Sequence, residues 1–384
     1  MTKAIPYGKQ EITQADIDAV VSTLTSDFLT QGPKVAEFEE KFAAYAGSKY
    51  AVAVSNGTAA LHLSALALGV NENSKVICTP ITFAASSNCI LYCGGSVEFV
   101  DIDSTTFTID IDKVEKLLQS NPKGTYSGIV PVDFAGYPVN TEKLRKLADE
   151  FGLWILEDAC HAPGGFYTDS KGNNVNCGDG RYAELSIFSF HPVKHIACGE
   201  GGMITTNDEA LYKHLLNLRT HGINKNFAAL PAGEGGWYYE MTELGYNYRI
   251  PDMLCSLGIS QLERANDNIT KRRKIAAIYT AALKNLAPNV STPNYPEGHG
   301  FHLYVILAKR RLELYNYLRT KNIFCQVHYI PVHTLPYYQN LGFKKGSMPH
   351  AEKYYEECLS LPMFPNLSAE EQQYVVDSIG EFYS

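Results

Sequence analysis

The chain has 384 residues, 45% of them hydrophobic and 19% charged, which is enough to bury a large core and to divide into two domains. With 33 basic against 41 acidic residues the net charge is −8, which argues against a nucleic-acid-binding surface. No apolar run is long enough to cross a bilayer and no basic-then-apolar leader opens at Met1-Thr2-Lys3-Ala4, so the cytoplasm is the expected location. The nine cysteines are odd in number and lack paired metal spacing; they read as free thiols, and no metal is expected.

Ile5 to Gln10 reads as extended, and Thr13 with Asp16 three residues later marks a helix start, after which Ile17, Val20, Val21 and Leu24 recur at helical spacing. Gly32-Pro33 breaks the chain before a second helix, whose Phe38, Phe42 and Tyr45 keep a helical period and are expected in the core. From Ala51 onward strands and helices alternate as in a parallel α/β sheet. Seven strands are expected: Ala51 to Val54, Lys75 to Thr79, Val97 to Asp101, Gly128 to Val132, Leu153 to Asp158, Ser186 to Phe190 and Met203 to Thr206. Glycine density marks Asn224 to Glu240 as a loop. Pro251 starts a long helical stretch, and the basic run Lys271-Arg272-Arg273-Lys274 reads as a solvated helix face. The remainder, with apolar runs at Leu303 to Ala308 and Phe324 to His328, reads as a smaller α+β unit. The expected division is a large domain over 1–250 and a small one over 251–384.

Three stretches carry chemistry. Ser189-Phe190-His191-Pro192-Val193-Lys194 leaves a strand end with one lysine, and a lysine held in a pocket can bond an aldehyde cofactor and exchange amines. Leu153 to Asp158 is an apolar run that delivers a carboxylate at its carboxyl end, where Asp158 can keep the ring nitrogen of pyridoxal phosphate protonated. Ser55-Asn56-Gly57-Thr58 follows a strand and opens a helix, so that free N–H groups and the positive helix end face an anion; Gly57, Thr58 and Ser189 are the expected phosphate binders. Asn56, Thr82, Asp158, Ser189 and Lys194 all fall at or just past strand ends, the edge where ligands collect in such sheets. Phe83 can cover the cofactor ring, although from the residues alone a core aromatic at the start of a helix is the preferred reading. His161 can meet the ring or its phenolic oxygen, although a lone histidine is more often a hydrogen-bonded core residue.

Together these stretches resemble the DegT/DnrJ/EryC1/StrS family of sugar-nucleotide aminotransferases. The likeness extends through Asp27 to Pro33, Leu218 to Gly222, Glu243 to Arg249 and Val327 to His333. His161 and His191-Pro192-Val193 resemble the pseudaminic acid branch, whose members aminate C4 of a UDP-linked 4-keto-6-deoxy-N-acetylhexosamine with L-glutamate as donor. The resemblance implies a fold type I, aspartate aminotransferase-like architecture: a seven-stranded, mostly parallel sheet with a smaller C-terminal domain. It also implies pyridoxal 5'-phosphate, with pyridoxamine phosphate as intermediate, and a homodimer with shared active sites in which Asn247 reaches the partner's cofactor phosphate. Tyr7, Thr30, Arg219, His328, Tyr329 and His333 are substrate-side residues by resemblance alone.

Other readings stay open at this level. Another UDP- or dTDP-linked 3- or 4-ketosugar is compatible with the same motifs. A sugar 3-dehydratase of the family has histidine where Lys194 stands. A non-catalytic regulator that binds the cofactor would keep the fold, and a nicotinamide dehydrogenase is disfavoured because no Gly-x-Gly-x-x-Gly follows an early strand.

Overall fold

The computed structural model describes residues 4–225 and 231–384. Met1 to Lys3 of the opening segment and residues 226–230 of the expected glycine-rich loop lie outside the described residues. The seven expected strands all form: β1 Tyr50–Val54, β2 Lys75–Cys78, β3 Ser96–Phe99, β4 Gly128–Val130, β5 Trp154–Asp158, β6 Leu185–Ser189 and β7 Gly202–Thr206. They join one sheet in the order β1-β7-β6-β5-β4-β2-β3, parallel throughout except for β7, which runs antiparallel to both neighbours. Their near-continuous apolar composition reflects cover on both faces, since β1, β5 and β6 are buried over almost their whole length.

Reversal of β7 puts its first residue at the edge where the other strands end. Gly202 pairs with Val54 on one side and Ser189 on the other, and a Cβ there would come within 2.4 Å of the Asn56 carbonyl oxygen. Only glycine lets these three chain segments meet.

Helix α1 (Gln14–Leu24) has the expected Thr13/Asp16 capping box, but its stripe faces the other way. Asp16 is fully buried and paired with Arg264, whereas Ile17, Val21 and Leu24 are about half exposed. The ion pair and the hydrogen bond from Gln261 outweigh hydrophobic periodicity in setting the helix rotation. Helix α2 (Pro33–Ala46) follows expectation, with Phe38 and Phe42 buried against Phe188 and Phe190. Helices α3 (Gly57–Ala67) and α4 (Ala85–Tyr92) follow β1 and β2.

The long helix expected after Pro251 is two: α5 (Asp252–Leu262) packs on α1 and α2, and a second helix spans Ala265–Leu283 beyond a break at Arg264. Asp252 explains the first contact, because its carboxylate accepts the N–H groups of Gly32 and Lys34 and so caps α2. The basic run is a solvated face only at Lys271 and Lys274, which are exposed. Arg272 is 2% exposed and donates to the carbonyls of Phe301, His302 and Met363, while Arg273 reaches those of His299 and Gly164.

A separate apolar cluster joins Tyr279, Tyr304, Ile306, Leu359 and Val375 around an antiparallel sheet of β8 Val290–Ser291, β9 Tyr304–Ala308 and β10 Cys358–Leu361. Ile5 inserts into it as Ile5–Pro6 pairs in parallel with Ile323–Phe324. All nine cysteines are free, and no helix among the described residues is long and apolar enough to cross a membrane.

Candidate active site

The carboxyl edge of the sheet opens into a cavity of about 640 Å³. Its floor comes from strand ends and a helix start: Asn56, Gly57 and Thr58 after β1, Thr82, Phe83 and Ser86 after β2, Asp158 at the end of β5, Ser189 at the end of β6 and Lys194 beyond it. Its opposite wall comes from distant chain segments, with Tyr7, His302, His328 and Tyr329.

At one end, the Asn56 side chain accepts the N–H of Ala59, and its carbonyl accepts that of Ala60. The first N–H groups of α3, on Gly57 and Thr58, are thereby left for an anion. Gly57 lies close to Ser189; a Cβ on it would stand 3.0 Å from the Ser189 Cβ, so a side chain here would crowd the hydroxyl that completes this cradle.

At the other end stands Asp158, 5% exposed. Ser86 donates its hydroxyl proton to Oδ2 at 2.6 Å, and the Cys160 N–H reaches Oδ1 at 3.1 Å. Since Ser86 spends its one proton on the carboxylate, the 2.7 Å contact with Thr82 has Thr82 as donor. The chain Thr82 to Ser86 to Asp158 holds the carboxylate in place.

Burial lowers the proton affinity of Lys194, and the neighbouring Cys160 and Asp158 partly offset this. It is the single Lys or Arg side chain among the residues lining the cavity. The Cys160 thiol is pushed well up by burial and by Asp158, which leaves it an inert wall rather than a nucleophile.

His161 is neutral, held well below the ordinary imidazole range by burial and by Lys194. Its Nδ1 accepts the N–H of Ala135 at 3.2 Å, which places the ring proton on Nε2, facing the Tyr329 hydroxyl oxygen at 3.3 Å. Tyr329 therefore accepts from His161 and keeps its own proton to donate. Burial and Lys194 push His328 down to about 3, and its Nδ1 meets the Ser360 hydroxyl at 2.9 Å.

Ten of the fourteen expected site residues thus line one cavity: Lys194, Asp158, Gly57, Thr58, Ser189, Phe83, His161, Tyr7, His328 and Tyr329. Phe83 is 62% exposed, which excludes the core alternative. Four lie elsewhere. Arg219 stands behind β1, bonded to Glu39 and the Ala53 carbonyl, and His333 is buried against Glu352. Thr30 and Asn247 are exposed, outside the cavity of their own protomer. Sequence reasoning missed Ser86 and His302. Ser86 carried a weak signal, four residues after Thr82 on the first turn of a helix that follows a strand end.

An anion cradle, a buried lysine and a fixed carboxylate, in that order along the edge of a mostly parallel sheet, suit a phosphorylated, protonated heterocycle carrying an aldehyde. They define a pyridoxal-phosphate-dependent aminotransferase of fold type I. The model of the DegT/DnrJ/EryC1/StrS aminotransferase family matches residues 10–380, and the chain belongs to that family. A curated relative, UDP-4-amino-4,6-dideoxy-N-acetyl-beta-L-altrosamine transaminase of Campylobacter jejuni, is 36% identical over 98% of this chain and 96% of its own. GDP-perosamine synthase of Escherichia coli O157:H7 is 35% identical over 100% and 99%. Among solved structures, Helicobacter pylori PseC, an aminotransferase of pseudaminic acid biosynthesis, has 31% identity, a TM-score of 0.89 and 99% coverage of both chains. Spr1654 of Streptococcus pneumoniae in its PLP form has 28% identity, a TM-score of 0.88 and 99% coverage of both.

Proposed function

We propose that this enzyme moves an amino group from L-glutamate to C4 of a UDP-linked 4-keto-6-deoxy-N-acetylhexosamine, in the cytoplasm and in the service of pseudaminic acid biosynthesis. The observation that carries the reading is the convergence of Lys194, Asp158 and the α3 N-terminus on one cavity. When bound, pyridoxal phosphate supplies the aldehyde that takes up the amine and the ring that accepts its electrons. Gly57, Thr58 and Ser189 hold the phosphate. Asp158, fixed by Ser86 and Cys160, holds the proton on the ring nitrogen. Lys194, its proton affinity already lowered, would serve as the base that takes the proton from the donor's α-carbon and as the acid that returns it. In the reverse half-reaction the same lysine would deliver a proton to sugar C4 from one side, which fixes its configuration. Phe83 covers the ring, and Tyr7, His328 and Tyr329 face the sugar.

The cavity of one protomer holds a single Lys or Arg for a diphosphate and two donor carboxylates. This shortage supports a homodimer in which Asn247 of one chain serves the partner's phosphate, with Thr30, Arg219 and His333 supporting the substrate side indirectly. The half-exposed stripe of Ile17, Val21 and Leu24, with exposed Phe28 and Leu29, offers an apolar surface for such an assembly. The division into a cofactor domain over 1–250 and a small domain over 251–384 belongs to the same reading. The separate cluster around Tyr304 supports it, with α5 packing back onto the first two helices.

The test is the visible spectrum of the purified, pyridoxal-phosphate-loaded protein. L-Glutamate should bleach it, and the UDP-4-keto-6-deoxy-N-acetylhexosamine of L-arabino configuration should restore it. Bleaching that only a GDP- or dTDP-linked ketosugar reverses would reassign the substrate, and failure to bleach with any amino donor would end the aminotransferase reading.

A further inference from the structure

Behind Asp158 lies a group that the chemistry above does not use. Asp133, Glu157 and Cys177 are all buried, and one ligand-type atom from each lies within 4.8 Å of the others. Glu157 Oε2 accepts the Ser186 hydroxyl at 2.6 Å and the Gly178 N–H at 3.0 Å. Asp133 Oδ1 accepts the Val139 N–H at 2.8 Å, but its Oδ2 is buried with no partner. Neither carboxyl has an ion pair among the described residues, so two negative charges would stand together with no cation to offset them. A proton on Asp133 Oδ2 removes one charge and gives the orphan oxygen its partner in Glu157.

The loop after Asp133 is tied to the active site twice. The Asp133 N–H donates to the Asp158 carbonyl at 3.0 Å, and the Ala135 N–H donates to His161 Nδ1. We propose that Asp133 and Glu157 share a proton, and that this proton holds the 133–136 loop in the conformation that positions Asp158 and His161.

Burial raises Asp133, and the nearby Glu157 raises it further; burial likewise raises Glu157, against its hydrogen bonds to Ser186 and Gly178. The groups facing the pair act in both directions: the Val139 N–H and the neighbouring Cys177 thiol favour the ionised form of Asp133, and burial with Glu157 outweighs them. Asp179, itself held by Arg181, adds repulsion, and the thiol of Cys177 is buried and protonated. A carboxyl whose folded value is raised binds more protons folded than unfolded. Stability therefore falls as pH rises from about 4 through the folded titration of the pair.

Asp133 and Glu157 are positioning residues, and their effect on turnover rests on the aminotransferase reading; the shared proton does not. The experiment is infrared spectroscopy of the full-length protein at about pH 8, where ordinary carboxyls are ionised. A carboxylic-acid C=O band should be present, survive Lys194→Ala, and disappear in Asp133→Asn, whose amide donates to Glu157 without titrating. In the loaded enzyme, Asp133→Asn should move the alkaline limb of kcat upward by about one pH unit or more. If that variant does not fold, loss of the band in Glu157→Gln or its decay in parallel with the wild-type alkaline limb answers the same question. Absence of an acid band in the wild type, or a stoichiometric metal ion in its place, overturns the shared proton. An unshifted limb in a variant that has lost the band overturns the positioning role.

Discussion

The two sides of the cavity are built differently. The floor uses segments a few residues long, each a strand end with the turn or helix start that follows it: Val54 into Gly57 and Thr58, Cys78 into Thr82 and Ser86, Asp158, and Ser189 into Lys194. The opposite wall brings Tyr7, from the start of the chain, to His302, His328 and Tyr329 near its other end, and is held through contacts such as Arg272 to the His302 carbonyl and Tyr354 to the His328 carbonyl. On the proposed function, the floor holds the cofactor and the wall faces the sugar.

That division can be broken at either side. Lys194→Ala should have the largest effect, lowering kcat by about 10³-fold or more while the protein still folds, because no other amine lines the cavity to move the proton; stopped-flow half-reactions with L-glutamate would measure it. Asp158→Asn should follow, at about 10²-fold or more in the same assay, with the cofactor still retained through its phosphate. On the wall side, Arg272→Met should leave turnover per folded molecule little changed but cost about 3 kcal/mol in denaturant unfolding, since three buried carbonyls lose their donor. Ser86→Ala should lower kcat about tenfold by freeing one oxygen of Asp158, and Ser86→Thr should restore part of it. Phe83→Ala should be the mildest, weakening cofactor binding a few-fold, the value of about 1 kcal/mol of ring contact at an exposed site.

Legibility in the sequence follows the same line. The strand count, the anion cradle, Asp158 and Lys194 are local, and period-two or continuous apolar runs with their terminal residues are enough to locate them. The stripe of α1 and the inner half of the basic run, Arg272 and Arg273, depart from the sequence reading for one reason. In each, a polar side chain is drawn inward by a partner far away in sequence, Arg264 for Asp16 and the three carbonyls for Arg272. Ser86 has only its spacing from Thr82 as a local signal, and His302 has no local pattern; tertiary contact gives them their place. Arg219 was legible as part of a motif but not as to where it points, because its partner Glu39 lies on α2.

The most direct measurement is borohydride reduction of the pyridoxal-phosphate-loaded protein, followed by proteolysis and peptide mass analysis. A pyridoxyl group on the peptide that contains Lys194, absent from Lys194→Ala, is the predicted result. A label on any other lysine, or none from protein that has bound the cofactor, would contradict the placement of the chemistry at the end of β6.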